Sequence, residues 1–177
     1  PYCSDGTYNE IFNRKVSTQV VKDYIREVQG IGSKAMFYNL AYGALKDGKE
    51  EGVKPEWQVY IDSTDVSPYR HVLKYGKSDI FIQNPANAEW QDYLVKRTRE
   101  VYKDFKFDGF HVDQLGSAPG YHVMENGHKV GKASRLSTKD GKEVLLWDGY
   151  SPLLTKLHND QKDKELVMNQ VSNWGHT

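Results

Sequence analysis

Apolar and polar positions alternate along this chain in two rhythms, one helical and one of strand length. From Val16 to Val28 the apolar residues Val16, Val20, Val21, Tyr24, Ile25 and Val28 recur at helical spacing, and Ser17 or Thr18 stands where a cap belongs. This predicts an amphipathic helix. After the breakers "GIGS", the run "KAMFYN", Lys34 to Asn39, has the length and apolar character of a buried strand. The segment "LAYGALKDGKEEGVKPE" reads as a long exposed loop, followed by a second strand-like run, "WQVYID", from Trp57 to Asp62. A third run, "SDIFIQNP", ends at Asn84 and Pro85, with the proline expected in the first turn of the next helix. That helix carries Trp90, Leu94, Val101 and Phe105 along one face.

The stretch "FKFDGFHVDQLG", Phe105 to Gly116, reads as another buried strand. Beyond it, about 116–149 is rich in glycine and holds the turn-forming pieces "ENGHK" and "KDGKE", which predict an inserted excursion of small hairpins. A last helix is expected from Pro152 to about Asp160, leading to the strand-length run "ELVMNQV" and then "SNWG". Strands alternating with helices predict an α/β fold with parallel strands and covering helices. Neither GxGxxG nor GxxxxGK occurs, which removes support for a nucleotide-binding doubly wound sheet.

Polar residues gather instead where strands end: Tyr38 and Asn39, Asp62, Asn84, Asp113 and Gln114, Asn169, Asn173 and Trp174. Barrel enzymes build their sites at the carboxyl ends of their strands, so the pattern favours a (β/α)8 TIM barrel. A whole barrel takes about 250 residues and eight strands. Residues 1–177 are therefore expected to be a fragment of a single catalytic barrel domain.

Composition narrows the chemistry. Lys and Arg number 24 against 24 Asp and Glu, so no basic excess suggests a nucleic-acid partner. No apolar run approaches the roughly 20 residues of a membrane span. Twelve Tyr and four Trp, beside many Asn, Asp and His, suit sugar binding as well as ordinary core packing. The single cysteine, Cys3, excludes an intrachain disulfide and a CxxC site. His71, His122, His128, His158 and His176 show no HxxxH or HExxH spacing, so neither a metal nor a cofactor is expected. The sequence opens on Pro1, as a processed or trimmed segment would.

Two carboxylates in one strand need explaining. Asp108 and Asp113 are five positions apart, so an extended strand aims them at opposite sides and separates them by about 16 Å. They are no acid/base pair. Asp108 precedes Gly109 at the strand's start, where a turn or backbone-capping role is natural. Asp113 follows apolar Phe110 and Val112 at the carboxyl end, where a carboxylate is costly unless it is paired or catalytic.

Taken together, "KAMFYNLAYGA", "IFIQNPANAEWQDYLVKRTREVYKDFKFDGF" and "FDGFHVDQLG" resemble glycoside hydrolase family 66, the dextranases and cycloisomaltooligosaccharide glucanotransferases. The likeness runs from about Tyr8 to Trp174. It implies a (β/α)8 barrel acting with retention on α-1,6-linked glucan such as dextran, an enzyme of bacteria working outside the cell, at its surface or in the periplasm. On that resemblance the chain covers about strands 2 to 5, with "KAMFYN" second, "DIFIQN" third and "ELVMNQV" fifth, and Asp113 matches the nucleophile at the end of the fourth. The run "WQVYID" is then an extra strand within a crossover.

A retaining glycosidase also needs a carboxylic acid about 5 to 5.5 Å from its nucleophile. The family's acid/base is a Glu ending the sixth strand. Glu125, Glu143 and Glu165 stand in unsuitable contexts, so that residue is expected beyond this segment and the segment alone is expected to be inactive. The rest of the barrel would come from the parent chain or a self-associated copy. Tyr38, Asn39 and Tyr42 are candidates for holding the glucose at the cleavage point, although Tyr42 also suits packing under the loop. His111, where the family more often has Gln, shares Asp113's face and is either a substrate contact or a satisfied buried histidine. Asn84 is a substrate contact or a helix cap, Gln114, adjoining Asp113, is a candidate substrate contact, and Asn169 with Trp174 offers a sugar platform. Hydrolysis is expected, with cyclising transfer, a non-catalytic carbohydrate-binding barrel, or a retaining glycosidase of another family as alternatives.

Overall fold

A computed structural model describes residues 6–9, 15–45, 53–61, 67–68, 70–72, 79–115, 123–125, 128–131 and 136–170. In chain order its elements are β1 (Thr7–Asn9), β2 (Lys15–Ser17), α1 (Thr18–Gly30), β3 (Met36–Asn39), β4 (Gly43–Leu45), β5 (Tyr60–Ile61), β6 (Ser67–Pro68), β7 (Arg70–Val72) and β8 (Asp79–Ile82). Then follow α2 (Ala88–Phe105), β9 (Gly109–Leu115), β10 (Val123–Glu125), β11 (His128–Gly131), β12 (Leu136–Ser137), α3 (Leu146–Asp160) and β13 (Glu165–Gln170). The centre is a parallel sheet in the order β13-β9-β3. Each of its strands is preceded by an α-helix, the connection that parallel strands require.

Local chemistry explains the helix ends. Ser17 accepts from the Val20 amide to cap α1, as its position predicts. Asn87 caps α2 by accepting from the Trp90 amide at 3.0 Å, and Lys106 closes it in the left-handed region at φ 59°. Of the α2 face read from the sequence, Trp90, Leu94 and Phe105 are buried and Val101 is partly buried. On α1 the apolar face is wider than its contact. Ile25 packs with Ala35 and Phe105, whereas Val20 and Tyr24 stand 63% and 64% exposed.

Four expectations change. The run 79–84 is no parallel strand between β3 and β9, because those two pair directly; β8 lies instead between β4 and β7 in an antiparallel sheet. Pro85 sits in a turn ahead of α2 rather than in its first turn, the helix starting only at Ala88. The expected exposed loop begins as core: Leu40, Ala41, Tyr42 and Ala44 are buried, and Trp90 Nε1 donates to the Ala41 carbonyl at 3.1 Å. Finally, α3 starts at Leu146 and runs through Pro152. Gly149 lets this helix close on the turn at Pro85, since a Cβ there would come within 2.2 Å of the Ala86 nitrogen.

The extra-strand reading of "WQVYID" holds at Tyr60–Ile61, where β5 pairs antiparallel with β12 and β6. Within the glycine-rich region, β10 and β11 form an antiparallel pair. Arg99 on α2 makes a forked ion pair with Asp160 at the end of α3, donating from Nε at 2.9 and 2.8 Å to the two carboxylate oxygens. The core lies between sheet and helices, with Phe110 1% and Val112 0% exposed and Phe37 stacked on Phe110 at 4.5 Å. Burial of a side chain of that size stabilises by about 1.5 to 3 kcal/mol.

At the amino ends of the parallel strands one residue ties three segments. The Asp108 amide donates to the Ala35 carbonyl, its carboxylate accepts from the Ala35 amide at 2.8 Å and Gln29 Nε2 at 3.0 Å, and its carbonyl accepts from the Glu165 amide at 3.0 Å. This is the structural role its position suggested. The Gln29 and Ala35 hydrogen bonds hold its carboxyl below the ordinary value, opposed by some desolvation and helped by Lys164 and Lys34. A lowered folded value means that the stabilisation is present above the ordinary carboxylate range and lost as acid protonates the group. Between neutral pH and pH values below about 4, the wild type should therefore lose more stability than Asp108→Asn, read from denaturant midpoints. The adjoining Gly109 has a steric reason. A Cβ there would lie 2.5 Å from the Glu165 carbonyl oxygen, so Gly109→Ala should push β13 away and cost about 1 to 3 kcal/mol in urea unfolding.

Candidate active site

The parallel register decides which side chains meet. Tyr38 is opposite His111, and His111 is opposite Val167, so these three share one face of the sheet. The other face carries Phe37, Phe110 and Leu166, turned into the core. Past this row the register shifts: Val112 pairs with Met168, but Leu115 pairs with Gln170, so Asp113 and Gln114 together face Asn169. This is a β-bulge on β9, a device that bends a strand and re-aims a side chain beside active sites.

At the bulge Asp113 is half-buried and its two carboxylate oxygens have different donors. Tyr38 Oη donates to Oδ2 at 2.6 Å, and Asn169 Nδ2 donates to Oδ1 at 2.6 Å. The carboxylate is thus oriented from both neighbouring strands. Burial, then the hydrogen bond to Asp113 and its negative charge, push the Tyr38 hydroxyl up to about 12. It remains a donor at every physiological pH. The His111 ring stands edge-to-face against Tyr38, centroids 5.7 Å apart and planes at 75°.

Sequence reasoning named Tyr38, His111, Asp113 and Asn169, and the structure brings these four together. The other candidates fall elsewhere. Asn39 aligns with Val112, on the face opposite Tyr38, and is exposed. Tyr42 is buried in the core at 3% exposure, its ring 5.7 Å from that of Tyr150, so the packing alternative holds and it presents no surface to a sugar. Asn84 Oδ1 accepts from the Ala86 amide at 3.0 Å and shapes the turn at Pro85, while Asn87 is the helix cap. Gln114 lies within β9, its backbone at the bulge. Asp62, Asn173 and Trp174 lie outside the described residues. Val167 was missed, although the period of two counted back from Asn169 points to it.

None of the three glutamates considered for the acid/base gains a suitable place. Glu165 starts β13 opposite Gly109, at the far end from Asp113, and is ion-paired with Lys34. Glu125 belongs to the β10–β11 pair, and exposed Glu143 bridges to Ser137. Among the described residues no group of three or more His, Cys, Asp or Glu is placed to hold a metal, and no helix is long and apolar enough to cross a membrane.

The family model of glycosyl hydrolase family 66 matches residues 2–177. The chain belongs to glycosyl hydrolase family 66. Two curated cycloisomaltooligosaccharide glucanotransferases of Niallia circulans are 28% and 26% identical to it over 133 residues, which is 75% of this chain and 14% of each relative. This family 66 chain therefore spans about a seventh of those relatives' length. Among solved structures, a cycloisomaltooligosaccharide glucanotransferase of Paenibacillus sp., complexed with cycloisomaltoheptaose, matches with a TM-score of 0.73 and 24% identity, covering 94% of this chain and 22% of that one. An α-galactosidase of Thermus thermophilus, in complex with stachyose, gives 0.53 and 14% identity over 95% of this chain and 30% of that one. At these identities the likeness concerns the fold, part of a (β/α)8 barrel with parallel strands and covering helices.

The geometry at Asp113 is testable without turnover. In the family 66 protein labelled at tyrosine Cζ, Asp113→Asn should bring the Tyr38 resonance's titration down from about 12, since the charge is lost while burial stays. An unchanged midpoint would show that the hydrogen bond is not formed in solution.

Proposed function

We propose that this chain is the part of a retaining α-1,6-glucan-active enzyme that carries the nucleophile, Asp113. The observation behind this reading is the half-buried carboxylate at the carboxyl end of the middle parallel strand, its two oxygens held by Tyr38 and Asn169. A carboxylate so placed has a fixed direction of attack and little freedom to lose on the way to the transition state.

In this reading one Asp113 oxygen forms a bond to the anomeric carbon as that carbon's bond to the glycosidic oxygen breaks. A second carboxylic acid, supplied from outside the described residues, protonates the departing oxygen and then takes the proton from the incoming hydroxyl. The incoming hydroxyl restores the anomeric configuration and releases Asp113. If it belongs to water, the outcome is hydrolysis, as in a dextranase; if it belongs to the glucan's own far end, a ring closes. The named relatives favour the second outcome, because both curated ones are cycloisomaltooligosaccharide glucanotransferases. A glucan polymer does not cross a lipid bilayer, so the enzyme would be secreted, surface-bound or periplasmic.

The test uses the full-length protein. Asp113→Asn should lower turnover of dextran by about 10³-fold or more. Incubation of the wild type with a 5-fluoro-α-glucosyl fluoride should leave a glucosyl adduct on the peptide containing Asp113. An adduct on a different residue sinks the assignment. Chromatography of the dextran products decides between linear oligosaccharides and rings.

A further inference from the structure

We infer that His111 is a positioning residue for Asp113, acting through Tyr38: its ring, packed edge-to-face with the phenol, holds it in the one lean that delivers Oη to Asp113 Oδ2. The inference rests on the nucleophile reading of Asp113 given above.

Tyr38 and His111 are directly opposite each other in the parallel register, so their side chains leave neighbouring strands side by side on the same face. Asp113 is two residues further along β9, about 7 Å toward the carboxyl ends. To reach it, the Tyr38 ring must lean diagonally along the sheet, away from its own register partner. Tyr38 is 49% exposed, and a single hydrogen bond at its tip leaves two rotatable bonds that solvent would readily let swing. The His111 ring packs against the phenol, edge-to-face at 5.7 Å and 75°, the arrangement aromatic pairs favour. An aliphatic side chain makes no such ring contact.

The same layering argues against direct sugar contact. A ligand bonded at Asp113 meets Tyr38 and Asn169 first, because His111 lies one row deeper on the face and flanks the phenol. His111 therefore affects chemistry only through the tyrosine, and its contribution must vanish when the hydroxyl is removed.

A double-mutant cycle on dextran turnover by the full-length protein tests this, with wild type, His111→Leu, Tyr38→Phe and the double variant. His111→Leu should reduce kcat about tenfold with little change in KM, and by less than about twofold once Tyr38 is Phe. His111→Phe, which restores an aromatic ring, should recover most of the loss. In tyrosine-labelled protein, His111→Leu should also lower the Tyr38 titration midpoint from about 12, as the phenol drifts from the carboxylate. Equal losses in both backgrounds, a change confined to KM, or a Tyr38 titration indifferent to His111→Leu would each overturn the inference. Failure of the nucleophile reading is distinguishable, because Asp113→Asn would then retain turnover in protein where the Tyr38 titration still responds to His111.

Discussion

Everything at this site depends on the direct, in-register pairing of β3 with β9 and of β9 with β13. Parallel strands in register present the same parity of residue to the same face, so one choice of alignment sorts two sets of side chains at once. Phe37, Phe110 and Leu166 turn toward the helices and the core, while Tyr38, His111 and Val167 turn the other way. A slip of one residue in either ladder would bury the polar row and expose the aromatic one. The apolar set is therefore what holds the polar set in place.

The strand β9 carries two aspartates at its two ends, and their surroundings give them separate work. Asp108 is tied to main-chain groups and Gln29, fastening the entrances of all three parallel strands, and Gly109 beside it lets β13 approach closely. Asp113 instead accepts from a side chain on each flanking strand. Main-chain partners suit a fixed tie, whereas side-chain donors on the flanking strands set the direction of a half-buried carboxylate. The bulge that sets Asp113 and Gln114 against Asn169 ends the regular ladder where such a carboxylate can turn out of the pleat.

The long connections serve the sheet from outside it. Between β3 and α2 the chain forms the antiparallel sheet β4-β8-β7 and gives β5 and β6 to another with β12, yet Leu40, Ala41, Tyr42 and Trp57 from that excursion are packed with Trp90 and Leu94 of α2. Trp90 bonds the Ala41 carbonyl and Gly149 lets α3 close on the Pro85 turn, so both helices are docked against the excursion as well as the sheet. Tyr42 belongs to this packing, which is why a tyrosine four positions from Tyr38 has so different a place.

By itself the sequence determined what local rules can reach. Helical spacing located α1 and α2, alternation separated Phe110 and Val112 from His111 and Asp113, and the position of Asp108 before Gly109 marked a structural carboxylate. The type and place of Tyr38, His111 and Asn169 at strand ends marked them as site residues, because side chains near a carboxyl end converge in any such barrel. Tertiary structure alone decided the rest. Residues 79–84 have the apolar pattern of a barrel strand but lie outside the parallel sheet, since which strands pair depends on contacts far apart in sequence. Gly149 and Pro152 look like helix breakers and stand inside α3, and at Gly149 the close approach of Pro85 and Ala86 favours a residue without a side chain. No residue pattern announces the bulge, or that Tyr38 and Asn169 would each take one oxygen of Asp113. Those distances arise from the register of two ladders, and a register is a property of strands in contact, not of any one of them.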